Sequence, residues 1–148
     1  MIQAKRILVP TDFSDFSEKA LNRAVEVAKD SNAKIELLHV IPDDIIQCGG
    51  IYCLDRTQME DFKNQVDNAA KEQLKDQIKK FAKVAGLEIA PVVRHGVPYN
   101  EILAEQKEKN IDLIVMSHLG KSRVEKFFLG GVARNVIKGA SCSVLLVR

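Results

Sequence analysis

Short, unbroken apolar runs alternate along this chain with longer stretches in which apolar residues return with helical period. The first run, Ile7-Leu8-Val9 within KRILVP, has the continuous hydrophobicity of a strand buried on both faces. The stretch after it, TDFSDFSEKALNRAVEVAKDSN, puts Phe16, Ala20, Leu21, Ala24, Val25 and Ala28 on one helical stripe. Ser14, followed by Ser17 and Glu18, offers N-cap chemistry for that helix. AKIELLHVI predicts a second strand. From Pro42 to Arg56 no period holds and Gly49-Gly50 interrupts, so an excursion loop is expected there. A long helix is expected from about Gln58 to Ala85, stopped by Gly86. Phe62, Val66, Ala69, Ala70, Leu74, Ile78, Phe81 and Ala85 supply its apolar face. LEIAPVVRHG predicts a third strand, and Pro91, which lacks an N–H for the ladder, assigns it to a sheet edge. VPYNEILAEQKEKN predicts a helix with Pro98 in its first turn. IDLIVM then reads as a heavily buried fourth strand, GVARNVIKGA as a last helix and SVLLVR as a final strand.

Strands alternating with helices in the order βαβαβαβαβ imply an α/β fold. Its sheet is parallel, covered on both faces and joined by right-handed crossovers. No linker, repeat or low-complexity segment interrupts residues 1–148, so a single domain is expected. In such sheets a ligand sits beyond the carboxyl ends of the strands, where strand order reverses. With the first and fourth strands as the central pair, the turn PTDFS faces the stretch SHLGKSRVEKFFLGG, Ser117–Gly131, across that crevice.

Composition narrows the partners. The 148 residues, 46% hydrophobic and 28% charged, are those of an ordinary globular chain. Twenty-two Lys and Arg against twenty Asp and Glu leave a formal charge of +2. That balance argues against nucleic-acid binding, which needs a concentrated basic face. No segment approaches the length of a membrane span, and MIQAKRILVP lacks signal-peptide architecture, so a cytoplasmic location is expected. Cys48, Cys53 and Cys142 form no Cys-x-x-Cys pair and their number is odd, which favours unpaired thiols over a disulfide framework or a metal site.

The Ser117–Gly131 stretch carries the candidate chemistry. Its GKS triplet, Gly120–Ser122, suggests a Walker A loop, but that motif needs a glycine where Val115 stands, so the P-loop reading fails. Another phosphate device remains. Gly120 allows close approach of a backbone to an anion, and Gly130 and Gly131 stand just before a helix whose free N–H groups favour negative charge. Lys121, Ser122, Arg123 and Lys126 lie between them with further donors and positive charge. The same glycines would also serve a plain strand-to-helix connection.

ILVPTDFS, the HV that ends the second strand, HGVPYNEIL, DLIVMSHLG, LGGVARNVI and the closing SVLLVR together resemble the universal stress protein family. The segments span essentially the whole chain in the family's order. The resemblance implies a three-layer α/β sandwich around a five-stranded parallel sheet of order 3-2-1-4-5, a Rossmann-like fold of the adenine nucleotide alpha hydrolase type. It also implies ATP as cofactor, with or without Mg²⁺ or Mn²⁺, held through a G-x2-G-x9-G-(S/T) signature. Ser117, Gly120, Gly130 and Gly131 occupy the four positions with intact spacing. Ser117 replaces a glycine there, and Gly131 replaces the hydroxyl residue expected at a phosphate. A positive φ at Ser117 would introduce strain of about 1 kcal/mol or more. By the matching segments, Pro10, Thr11 and Asp12 would line the adenine and ribose end and Val40 would close over the base. Met116 and Val132 would flank the phosphate loop, to which Lys121 belongs. Asp12 can accept from ribose hydroxyls; as a bare sequence position it is equally a helix N-terminal cap.

His39 reads as a core or strand-end histidine, His118 as exposed or as a phosphate or ribose contact, and His95 as a turn residue without a visible partner. Phe127 and Phe128 read as packing or partner-contact residues rather than base-stacking ones. The leading functional expectation is an ATP-binding regulatory module of the stress response. The alternative is a stress protein without nucleotide, working only through protein–protein contacts. Catalysis is not expected beyond weak ATP hydrolysis, since the phosphate loop offers only His118 and Glu125 as bases. SVLLVR would form the sheet edge opposite Pro91, and the resemblance implies a homodimer through Ser143–Arg148, although Ser143 stands where the family often has proline. Protein partners beyond the twin subunit are not legible.

Overall fold

The computed structural model describes residues 3–44, 55–82, 86–120 and 129–148. Cys48, Cys53, Gly49-Gly50, the end of the long helix at Ala85, and Lys121 with Ser122, Arg123, Glu125, Lys126, Phe127 and Phe128 lie outside them. In chain order the elements are β1 (Arg6–Pro10), α1 (Asp15–Ser31), β2 (Lys34–Ile41), α2 (Arg56–Ala82), β3 (Ile89–His95), α3 (Pro98–Glu108), β4 (Leu113–Ser117), α4 (Gly131–Gly139) and β5 (Ser143–Val147). The five strands form one sheet of order 3-2-1-4-5, and every pairing is parallel. Pro91 lies in β3, at the edge, opposite Leu37 of β2.

β1 is buried on both faces, and its alternation divides the core in two. Ile7 and Val9 join Ile35, Leu37, Leu113 and Val115 against α1 and Leu74 of α2. Leu8 joins Leu38, Val40, Ile114 and Met116 against Ile102 of α3 and Ala133 and Val136 of α4. These are the two covered faces that unbroken apolar strands require.

Local chemistry sets the helix ends. Ser14 caps α1, its side chain accepting from the N–H of Ser17, and Asn32 closes the helix in the left-handed region with its N–H on Ala28 O. α2 starts at Arg56, earlier than Gln58. Asp55 and Gln58 form a reciprocal capping box: Gln58 N–H donates to Asp55 Oδ1 (2.8 Å) and Asp55 N–H to Gln58 Oε1 (2.9 Å). The expected apolar face of α2 needs one correction. Ala70, Leu74 and Gln77 are buried, whereas Ala69 is exposed. Ala69 precedes Ala70 by one position and so lies about 100° round the helix from the buried stripe.

Candidate functional site

β1 and β4 are neighbours at the centre of the sheet, and the chain leaves β1 toward β2 on one side and reaches β4 on the other. Strand order therefore reverses between them, and the two turns that leave them converge.

The turn after β1 is tightly held. Thr11 is 6% exposed, and its N–H donates to Leu38 O (2.8 Å). Its hydroxyl donates to Gln77 Oε1 of α2 (3.0 Å), accepts from Phe13 N–H (3.1 Å) and lies 3.0 Å from Ser17 Oγ. Phe13 is in the left-handed region (φ 65°), a conformation rare for a bulky side chain. Its ring packs on that of His39, centroids 4.4 Å apart, and His39 Nδ1 lies 2.8 Å from Thr11 O. Backbone strain of this kind persists only where the surroundings over-determine it. Asp12 does not cap α1. Ser14 does, and Asp12 Oδ1 accepts the N–H of Ser14 (3.0 Å) one step earlier.

The turn after β4 is built from small residues and backbone. Ser117 ends the strand and is not among the described residues of positive φ, so serine replaces glycine there without strain. Its hydroxyl donates to Leu119 O (2.6 Å), turning the chain toward Gly120. A Cβ added at Gly120 would lie 2.7 Å from Asp12 Oδ2, so the two turns touch at that point and a larger residue would push the carboxylate aside. Gly130 N–H donates to His118 O (2.8 Å), and a Cβ at Gly130 would sit 3.1 Å from that oxygen. Gly130 is then the N-cap of α4 and leaves the first-turn N–H groups without a side-chain cap. At Gly131 an added Cβ would meet nothing within 4 Å.

Between the turns lies a cavity of about 830 Å³, within the range of small-ligand sites. Pro10, Thr11 and Asp12 line it from β1, and Val40 from β2. Met116, Ser117 and Gly120 line it from β4, and Gly130, Gly131 and Val132 from the start of α4. Lys121 falls outside the described residues, as do Ser122, Arg123, Glu125 and Lys126 of the same stretch. The cavity also takes in residues that sequence reasoning missed: Phe13, Gln73 of α2, and Pro98 and Ile102 of α3. Apolar helical period marks Ile102 as core without telling that it borders a void, and nothing local distinguishes the exposed Gln73 or the half-buried Pro98 from ordinary helix positions. Phe13 alone carried a signal, its place within PTDFS.

The histidines divide. His39 is half-buried at the strand end, as expected, and also lines the cavity. His118 is half-buried rather than exposed: it lines the cavity, its Nδ1 lies 3.1 Å from Val147 O, and its ring meets Phe16 edge-on. The expectation that His95 lacks a partner is overturned. Its Nε2 lies 2.6 Å from Asp67 Oδ1 of α2, a neighbour invisible in sequence because long-range packing supplies it. Cys142 is a free thiol whose pKa is pushed up, chiefly by burial. Among the described residues no three His, Cys, Asp or Glu side chains are grouped to hold a metal ion, and no helix is long and apolar enough to cross a membrane.

Asp12 and the α4 N-terminus, which favours negative charge, both border the cavity. Comparison with known proteins agrees with this architecture. Residues 3–148 match the sequence model of the universal stress protein family. Universal stress protein MJ0531 of Methanocaldococcus jannaschii is 35% identical over 97% of this chain and 82% of its own length. Among solved structures, hypothetical protein MJ0577 of the same organism superimposes with a TM-score of 0.83 at 29% identity, covering 99% of this chain and 96% of its own. A universal stress protein in complex with cAMP superimposes with a TM-score of 0.69 at 23% identity, covering 99% and 98%.

Proposed function

Because this chain belongs to the universal stress protein family, we propose that it is a nucleotide-binding regulatory module whose ligand is ATP. One observation carries the reading: Asp12 and Gly120 meet at the reversal point of the sheet, beside a cavity bordered by a helix N-terminus whose cap residue, Gly130, makes no side-chain cap bond. Asp12 accepts from ribose hydroxyls, Val40 packs on the base, Met116 and Val132 flank the phosphates, and the first-turn N–H groups of α4 bind phosphate oxygens with Lys121 adding charge. A Mg²⁺ accompanying ATP would be held mainly by phosphates and water, since Mg²⁺ keeps several waters and takes few protein ligands. The module works in the cytoplasm without turnover beyond weak hydrolysis.

The competing reading, a family member that works without nucleotide, draws on Ser117 and Gly131. It predicts a pocket collapsed or blocked, by Ser117 or by loop side chains; the 830 Å³ cavity argues against collapse, and Ser117 carries no positive-φ strain. Equilibrium dialysis and thermal-shift titration with ATP, with and without Mg²⁺, decide between them. cAMP is the second ligand to titrate, because a relative of this fold was solved with it. ATP saturation below millimolar concentration supports the proposal. No binding of either nucleotide at millimolar concentration transfers the case to the protein-contact reading.

The same reading includes a homodimer through the C-terminal strand Ser143–Arg148. β5 is an edge strand whose Val144, Leu145, Leu146 and Val147 are only half-buried, and an apolar edge is stabilised by pairing with its twin. Sedimentation at micromolar concentration should give a dimer; a monomer removes this part.

A further inference from the structure

β2 is an interior strand of the sheet, yet it carries Glu36 between Ile35 and Leu37. Glu36 shares the face of Leu38 and Val40, which α3 covers. There it meets Glu105 of α3, whose side chain is 2% exposed. Arg94 of β3 donates Nη1 to Glu105 Oε2 (2.6 Å). The rest of its guanidinium serves Glu101 (2.8 Å from Nε) and Glu108 (3.0 Å from Nη1). Among the described residues two buried side-chain oxygens are left without a donor, Glu36 Oε2 and Glu105 Oε1.

An orphaned buried acceptor is costly, and two carboxylates in contact with both ionised add like-charge repulsion in a poorly solvated place. One proton removes both defects at once. We propose that Glu36 and Glu105 hold a single proton between them in the folded protein, Glu36 Oε2–H donating to Glu105 Oε1, as a latch between β2 and α3. The proton is placed on Glu36 because Glu105 already accepts from the Arg94 guanidinium through Oε2 (2.6 Å). Four more charged groups bear on the pair: Arg6 of β1 and Lys109 beyond α3 favour an ionised Glu36, while Glu101 and Glu108 share the charge of Arg94. Burial is the largest influence on Glu36 and the hydrogen bond and charge of Glu105 come next; all three raise its pKa, against smaller opposition from Lys109 and Arg6. The latch matters beyond its own bond because α3 carries Pro98 and Ile102 into the cavity wall. It stands independently of what fills that cavity.

A pKa raised by folding means that stability is fully present below the ordinary glutamate value and is lost as pH rises through the raised one. The test is a carbon-13 NMR titration of the glutamate carboxyls in the full chain, paired with urea unfolding of wild type and Glu36→Gln across pH 4–9. In that variant the side-chain amide can donate to Glu105 Oε1 and does not titrate. One carboxyl should titrate well above the others in wild type and be absent in the variant. Relative to E36Q, the unfolding constant of wild type should rise about tenfold per pH unit between the ordinary and the raised value, then level off. Amides of α3 should exchange faster in wild type than in E36Q above that window. Carboxyls that all titrate in the ordinary range, or a stability ratio independent of pH, overturn the proposal. If E36Q does not fold, the wild-type titration decides alone.

Discussion

Gly120 and Gly131 belong to one signature, yet their surroundings demand different things. A Cβ at Gly120 would press on Asp12 Oδ2 at 2.7 Å, whereas one at Gly131 would touch nothing. Gly120→Ala should therefore displace the carboxylate assigned to ribose. Loss of one charge-assisted hydrogen bond corresponds to about 1.5–3 kcal/mol, so ATP binding by calorimetry should weaken at least about tenfold while the melting temperature changes little. Gly131→Ser runs the other way. It places a hydroxyl at the start of α4 and removes a flexible residue from the first turn, so affinity should rise several-fold and stability by about 0.4–1 kcal/mol. Equal affinity in the Gly131→Ser protein and the parent would show that the phosphates lie elsewhere.

At the scale of elements, two long-range contacts hold the site's walls in place. Gln77 of α2 accepts the Thr11 hydroxyl behind the first turn, and it sits on a helix face otherwise filled by Ala70, Leu74 and Ile78. Gln77→Ala leaves the buried Thr11 hydroxyl short of a partner and should lower unfolding free energy by about 1–3 kcal/mol in urea. Arg94 joins β3 to Glu101, Glu105 and Glu108 of α3. Arg94→Ala removes the guanidinium that pairs with Glu105, a carboxylate only 2% exposed, and breaking a buried pair from one side typically destabilises by about 3–5 kcal/mol. A separate, acid-sensitive contribution comes from Glu108. Arg94 holds the Glu108 carboxyl below its ordinary value, so its contribution is present above the ordinary glutamate pKa and disappears as pH falls through the depressed one. Comparing acid unfolding of wild type and Arg94→Ala measures it: the two curves should draw together at low pH.

For the whole molecule, much was legible in the chain alone. Unbroken apolar runs announced strands with two covered faces, and Ile7, Leu8 and Val9 divide between the two cores as such a run must. Pro91 marked the edge strand because a missing N–H is tolerated only there. Ser14 marked the α1 cap, while the Asp55–Gln58 box went unread and shifted the start of α2 by two residues. Less legible were Gln77, His95 and Glu36, polar residues in segments whose periodicity says only "inside" or "turn". Each has its chemistry set by a partner that no spacing rule connects to it.

The order of strands and helices, their faces and the two turns at the centre of the sheet follow from sequence, because local propensity and hydrophobic period depend on neighbours along the chain. Contact between Asp12 and Gly120, the space beside Gly131 and the burial of Glu36 against Glu105 were decided by tertiary structure. Those depend on side-chain volume and on the donors that distant segments bring within a few ångströms, quantities that exist only once the layers have packed.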